Sequence, residues 1–182
     1  MMPYKRLFVA LDIPEAVSEL LVRLQENLPG VRWLRPDQIH LTLSFLGNVS
    51  SAFEEKLCEK LAAIRFIAFF LPVVGVGTFP QKAKPNVIWA GVGTGHPQLF
   101  HVYKLVQEAA LGAGLEPDLR RWHPHITLAR CKEVSAESIR PFLKAHADFD
   151  VGMIRVESFS LYSSIPGLLG SAYTRELEVK AA

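Results

Sequence analysis

Apolar positions along this chain alternate between the period of a strand and that of a helix. Residues 6–13 hold the unbroken run Leu7-Phe8-Val9-Ala10-Leu11, which predicts a strand. Pro14 then opens a helix whose apolar residues, Val17, Leu20, Leu21, Leu24 and Leu28, recur at helical spacing. A turn around Arg35-Pro36-Asp37 leads to a strand over 40–46, closed by Gly47-Asn48. Ser51 and Glu54 stand at capping-box spacing and start a helix reaching about Arg65, and 69–76 reads as a further strand.

The same order then returns. A strand at 87–92 is followed by a helix at 97–111, entered from a Gly-rich turn, and by a strand at 125–129. Ser135 caps a helix to about Ala147, and 153–162 is a strand. The interval from first strand to third element is 34 residues in one half (6 to 40) and 38 in the other (87 to 125). Each half is therefore strand–helix–strand–helix–strand. Residues 158–179 form a terminal hairpin with Pro166-Gly167 and Gly170 in its loop, able to lie near a cleft or to close a sheet edge. The pattern predicts an α+β fold of two pseudo-symmetric lobes around a central cleft, with 1–182 as a single bilobed domain.

The repeat carries chemistry. His40-Leu41-Thr42-Leu43 in the first half returns as His125-Ile126-Thr127-Leu128 in the second. Alternation along a strand puts each His and Thr on one face and the two apolar residues on the other. Packing the halves about a pseudo-twofold axis faces His40 and His125 across the cleft. Histidine titrates near neutrality, so one imidazole can accept a proton while the other donates one. Each threonine hydroxyl can donate a hydrogen bond to a phosphate oxygen. Arg130 is a natural phosphate partner, although simple alternation turns it away from Thr127 unless a bulge intervenes.

Composition narrows the partners. The chain has 182 residues, ordinary apolar and charged content, and a net charge of +2, too small for a long nucleic-acid cradle but compatible with a local anion pocket. Cys58 and Cys131 form no CxxC pair, so neither disulfides nor a zinc knuckle is expected. The uncharged run 66–79 is interrupted by Pro72, Gly75 and Gly77 and is too short to span a membrane, so a cytoplasmic setting is expected, with a monomer as the default.

These motifs closely resemble the 2H phosphoesterase superfamily, and within it the RNA 2′,3′-cyclic phosphodiesterase branch, also known as 2′-5′ RNA ligase. The resemblance rests on 6–14, on 40–47 and 124–130 with the two signatures, and on 77–80 and 87–91. It implies metal-independent opening of RNA 2′,3′-cyclic phosphate ends to 2′-phosphomonoesters, with no cofactor. It also implies that some members join RNA halves through a 2′-5′ linkage in reverse; tRNA fragments are among the RNA ends such a site would meet. By that resemblance His40 is the proton donor, His125 the proton acceptor, and Thr42, Thr127 and Arg130 hold the phosphate.

Other readings stay open. His123 shares parity with His125 and, with His40, would complete a three-histidine zinc site, against which stand Pro124 and the lack of a nearby carboxylate or thiol. His96, His101 and His146 read as structural, and Phe45, Trp33, Trp89 and Trp122 as core. A non-catalytic RNA-end binder, or an enzyme for 2′-5′ oligonucleotides or another cyclic nucleotide, would use the same pocket.

Overall fold

The computed structural model describes residues 4–94 and 96–182; Gly95, part of the Gly-rich turn expected from the sequence, lies outside the described residues. In chain order the elements are β1 (Tyr4–Leu11), α1 (Glu15–Val22), β2 (Val31–Trp33), a 3-10 turn (Pro36–Gln38), β3 (Leu41–Ser50), α2 (Ser51–Ala62), β4 (Phe69–Val74) and β5 (Val76–Phe79). They continue with β6 (Val87–Ala90), α3 (Pro97–Ala113), β7 (Ile126–Cys131), α4 (Ala136–Ala145), β8 (Asp150–Val156), β9 (Ser158–Ile165) and β10 (Ala172–Lys180).

Two four-stranded antiparallel sheets carry the two motifs. One runs β10-β9-β1-β3 and the other β2-β7-β6-β5, while β4 and β8 form a separate pair. The expected two-lobed α+β arrangement is present, and its halves are exchanged. β2 leaves the first half to join the second sheet, the β9–β10 hairpin returns to complete the first, and the last strands of the two halves pair with each other. One continuous apolar cluster joins Leu11 and Leu41 of the first sheet, Val106 of α3 and Leu128 of the second.

Several boundaries differ from the sequence pattern. α1 ends at Val22, so Leu24 is buried from a turn and Leu20 is left on the surface. The cap of α2 is Ser50 rather than Ser51, its Oγ accepting from the Phe53 amide at 3.3 Å. The run 69–76 breaks at Gly75 into two strands, and 153–162 breaks at Glu157 into strands of different sheets. β2 was not foreseen, since three residues carry no period. β3 passes through Gly47 instead of ending there.

That last difference has a physical cause. Against β1, Phe45 pairs with Phe8, Ser44 with Val9 and Thr42 with Ala10, leaving Leu43 unpaired; Gly47 pairs with Leu7, leaving Leu46 unpaired. Gly47 has φ +71°, a conformation that suits a residue without a Cβ. β7 repeats the first of these bulges. Ala129 pairs with Ile88 and Thr127 with Trp89, so Leu128 is the extra residue. In both strands the residue after the motif threonine is supernumerary, and two successive residues point inward: Leu43 and Ser44, Leu128 and Ala129.

β3 is an edge strand of its sheet, and the other lobe covers it. The Thr42 carbonyl accepts from Trp122 Nε1 at 3.3 Å, and the Leu43 carbonyl from Gln107 Nε2 of α3 at 3.0 Å. Replacing Gln107 by Leu removes a donor and strands a half-buried carbonyl at the bulge. The expected loss is about 1–2 kcal/mol of unfolding free energy, read as a lower urea midpoint at unchanged slope.

Candidate active site

His40, Thr42, His125, Thr127 and Arg130 all line one cleft of about 650 Å³ between the two motif sheets. The bulges decide which further residues join them. With one residue added after each threonine, the position three beyond it turns back toward the cleft: Phe45 in β3 and Arg130 in β7. Phe45 is therefore not a core residue. It is 68% exposed and lines the cleft beside Thr42. Trp33, Trp89 and Trp122 are half-buried, and Trp33 and Trp122 pack against the core.

The imidazoles are held alike. His125 Nδ1 lies 2.7 Å from the His123 carbonyl, which can only accept, so Nδ1 carries the hydrogen and Nε2 remains free for proton transfer. His40 is hydrogen-bonded to the backbone of Gln38, again two residues back. Its ring stacks on Phe8 at 4.8 Å and meets the edge of Tyr173 at 5.4 Å. His125 meets Phe79 edge-on at 4.9 Å.

This apolar packing sets the protonation states. Burial lowers the His40 pKa to about 4; the backbone bond and the charge of Asp12 oppose the shift, while Arg130 and His125 add to it. Burial likewise lowers the His125 pKa, helped by Arg130 and His123 and opposed by its backbone bond. With a pKa near 4, His40 is neutral at pH 7.

The cleft is strongly electropositive. Arg6, Arg32 and Arg130 line it, and among the described residues no Asp or Glu does. Arg32 sits directly opposite Arg130 across the β2–β7 ladder, an unfavourable arrangement for like charges unless an anion lies between them. Among the described residues none of these three arginines has a carboxylate within salt-bridge distance, whereas neighbouring Lys5 has two, Glu54 at 2.9 Å and Glu176 at 3.4 Å.

The terminal hairpin closes one side of the cleft. Gln38, only 2% exposed, donates to the Ser171 carbonyl at 2.9 Å, and Arg35 to the Leu169 carbonyl at 3.0 Å. Ser164, Ser171 and Tyr173 thereby join the lining. Beneath Phe8, Tyr162 stacks at 5.4 Å and donates to Asp12, which also accepts from Ser158 at 2.6 Å and Ser160 at 2.7 Å. Arg32 and Tyr173 carried no sequence signal: one lies in a three-residue strand, the other beyond a loop. The Ser158-Ser160-Tyr162 alternation did mark one polar face of β9.

The sequence profile described as LigT like phosphoesterase matches residues 11–89 and again 93–169, one copy for each half of the repeat. The chain belongs to this family. Among relatives, the RNA 2′,3′-cyclic phosphodiesterase of Aeropyrum pernix is 35% identical over 167 residues, covering 89% of this chain and 95% of that one. The enzyme of the same name from Methanocaldococcus jannaschii is 31% identical over 165 residues, covering 87% and 91%. Among solved structures, Escherichia coli LigT complexed with 3′-AMP superposes with TM-score 0.82 at 26% identity, covering 99% of each chain.

The alternative zinc site finds no geometry in this member of the LigT-like phosphoesterases. Among the described residues no three His, Cys, Asp or Glu side chains are grouped to hold a metal ion. His123 serves His125 through its carbonyl, and its ring borders a separate recess with Trp89 and Trp122. Cys58 and Cys131 are free thiols, and among the described residues no helix is long and apolar enough to cross a membrane.

The depressed His40 pKa predicts an acid-sensitive fold. Below pH 6.5 the unfolded chain takes up a proton that the folded ring refuses until about pH 4, so stability present at neutrality is lost as pH falls through that window. The full loss from this one group is about 3 kcal/mol. Urea midpoints between pH 7 and 4.5 should fall less steeply for His40→Gln than for the parent, and parallel curves would refute the assignment.

Proposed function

We propose that this protein opens RNA 2′,3′-cyclic phosphate ends to 2′-phosphomonoesters by two-histidine acid–base catalysis. The observation that carries the reading is a pair of similarly tethered imidazoles lining one carboxylate-free cleft that contains three unpaired arginines. The family membership and the shared name of the relatives support it. Residues 1–182 act as one functional unit, since each sheet supplies half of the site.

In this mechanism Thr42, Thr127 and Arg130 hold the cyclic phosphate through its non-bridging oxygens. His125 Nε2 takes a proton from water as the water oxygen bonds to phosphorus. The bond from phosphorus to O3′ breaks, and His40 gives its proton to the departing oxygen. The product carries a 2′-phosphate and a free 3′-hydroxyl. When a 5′-hydroxyl of another RNA replaces water, the same transfers make a 2′-5′ linkage. His40 must be protonated for this; Arg130 and burial oppose that proton, and the negative charge of the bound phosphate favours it. RNA ends as substrate, tRNA fragments included, accord with a cytoplasmic monomer, and residues of one chain line the whole cleft.

A short RNA ending in a 2′,3′-cyclic phosphate should give the 2′-phosphate product in excess EDTA. His40→Ala and His125→Ala should each lose at least about a thousandfold in rate with unchanged folding, within the range of general acid–base contributions. EDTA-sensitive turnover would restore the metal reading, and tight binding without turnover the RNA-end binder. Sulfur in place of the 3′ bridging oxygen leaves without a proton. It should rescue His40→Ala and not His125→Ala; the opposite pattern would exchange the two roles.

Arg130 is expected to cost stability and supply affinity. Arg130→Met removes the like-charge pair with Arg32, so the unliganded variant should match or exceed the parent in Tm while kcat/KM falls at least about tenfold. A destabilised variant of normal activity would show instead that Arg130 has a packing role.

A further inference from the structure

The cleft continues past the catalytic phosphate. Along β3 the lining residues run His40, Thr42, Phe45 and Gly47, so a polar end, an exposed aromatic and an open backbone follow one another. At Gly47 the cleft opens into a neighbouring recess that shares Arg6, Gly47 and Ser164 with it and is otherwise bordered by Tyr4, Asn48, Ile165 and Pro166. Arg6 stands at the junction of the two.

We propose that Arg6 forms a second phosphate subsite, which takes the phosphate 5′ to the terminal nucleoside of the RNA. This rests on the reading of the cleft given above and names its substrate more closely: a nucleotide with a further phosphate, rather than a bare nucleoside cyclic phosphate.

Three observations carry it. First, charge: a single cyclic phosphate bears one negative charge, and the cleft holds three guanidinium groups with no lining carboxylate. Arg32 and Arg130 face each other and can share that anion, which leaves Arg6 without a partner among the described residues. Its sequence neighbour Lys5 points to the opposite face and is paired twice, so the lack of a partner belongs to the cleft side of β1.

Second, spacing: Arg6 pairs with Asn48 and Ala10 with Thr42, which sets the Arg6 backbone four residues along β1 from the threonine that holds the catalytic phosphate. At strand rise that is about 13 Å. A long guanidinium side chain reaching back along the cleft brings its charge within one nucleotide of that phosphate. Third, the space between is filled appropriately. Phe45, 68% exposed and backed by Phe8 at 6.4 Å, lies between the two positions and offers a face to the intervening nucleoside. A basic groove tracking the strand, with an aromatic between phosphates, is how proteins hold single-stranded nucleic acid without reading its sequence.

The test compares three substrates sharing one terminal base: a nucleoside 2′,3′-cyclic phosphate, the same compound with a 5′-phosphate, and a dinucleotide ending in the cyclic phosphate. The parent protein should prefer the second and third over the first by about tenfold or more in kcat/KM, with a steeper salt dependence. Arg6→Gln, an exposed site, should keep the rate on the first and lose the preference; Arg6→Lys should keep part of it. A preference for the dinucleotide alone would assign the subsite to an internucleotide phosphate rather than a terminal one. The inference is overturned if the parent treats all three alike, if Arg6→Gln keeps the preference, or if it slows all three equally. Absence of turnover on every substrate by the parent would instead overturn the phosphodiesterase reading and this inference with it.

Discussion

Each motif strand carries one residue more than the strand it pairs with, and the architecture of the site follows from that surplus. Without the bulge after Thr42, Phe45 would lie buried or on the far face; without the bulge after Thr127, Arg130 would point away from the phosphate. A bulge disrupts the ladder and bends the strand, so its free carbonyls need other partners. In β3 these come from Trp122 and Gln107 of the opposite lobe. The bonds that satisfy the bulge therefore also hold the two halves of the cleft in register.

The second constraint is electrostatic. Like charges opposed across a ladder and two imidazoles wrapped in aromatic rings both weigh against the unliganded fold. A bound anion relieves both at once: it lies among the guanidinium groups and favours the protonated imidazole that a general acid requires. Asp12 is the counterweight. Held by Ser158, Ser160 and Tyr162, it sits behind the Phe8 ring under His40, and its charge opposes the fall in the His40 pKa. Burial outweighs it, holding His40 down near 4, so in the proposed mechanism the acid role rests on the charge of the bound substrate.

Much of this was legible in the sequence, for an identifiable reason. The duplicated His-x-Thr-apolar motif, the near-equal intervals of the two halves and the capped helices are local patterns, and local patterns survive translation into a string of letters. The exchange of β2 and the β9–β10 hairpin between sheets is long-range, and neither Arg32 nor Tyr173 sits in a segment with its own period. Phe45 was misread because strict alternation was assumed through the residue at which it fails. The buried–half-buried–buried–buried–exposed order of both strands has its trace in the sequence as Leu-Thr-Leu-Ser-Phe and Ile-Thr-Leu-Ala-Arg. There a small residue follows the second aliphatic one, where two successive side chains must turn inward.

That alignment also shows where the pseudo-symmetry stops. Histidine, aliphatic, threonine and leucine are shared, and then Phe45 stands where Arg130 stands in the other half. An arginine in place of Phe45 would leave no exposed aromatic along β3, and an aromatic in place of Arg130 would leave Arg32 without the guanidinium it faces. A cyclic phosphate is itself asymmetric, with the nucleoside and its departing O3′ on one side and the attacking oxygen on the other. A symmetric frame with one aromatic and one cation at equivalent places matches that asymmetry. In the proposed mechanism the nucleoside lies on the β3 side, toward Phe45 and Arg6, and the β7 side, with His125 and Arg130, faces the incoming nucleophile.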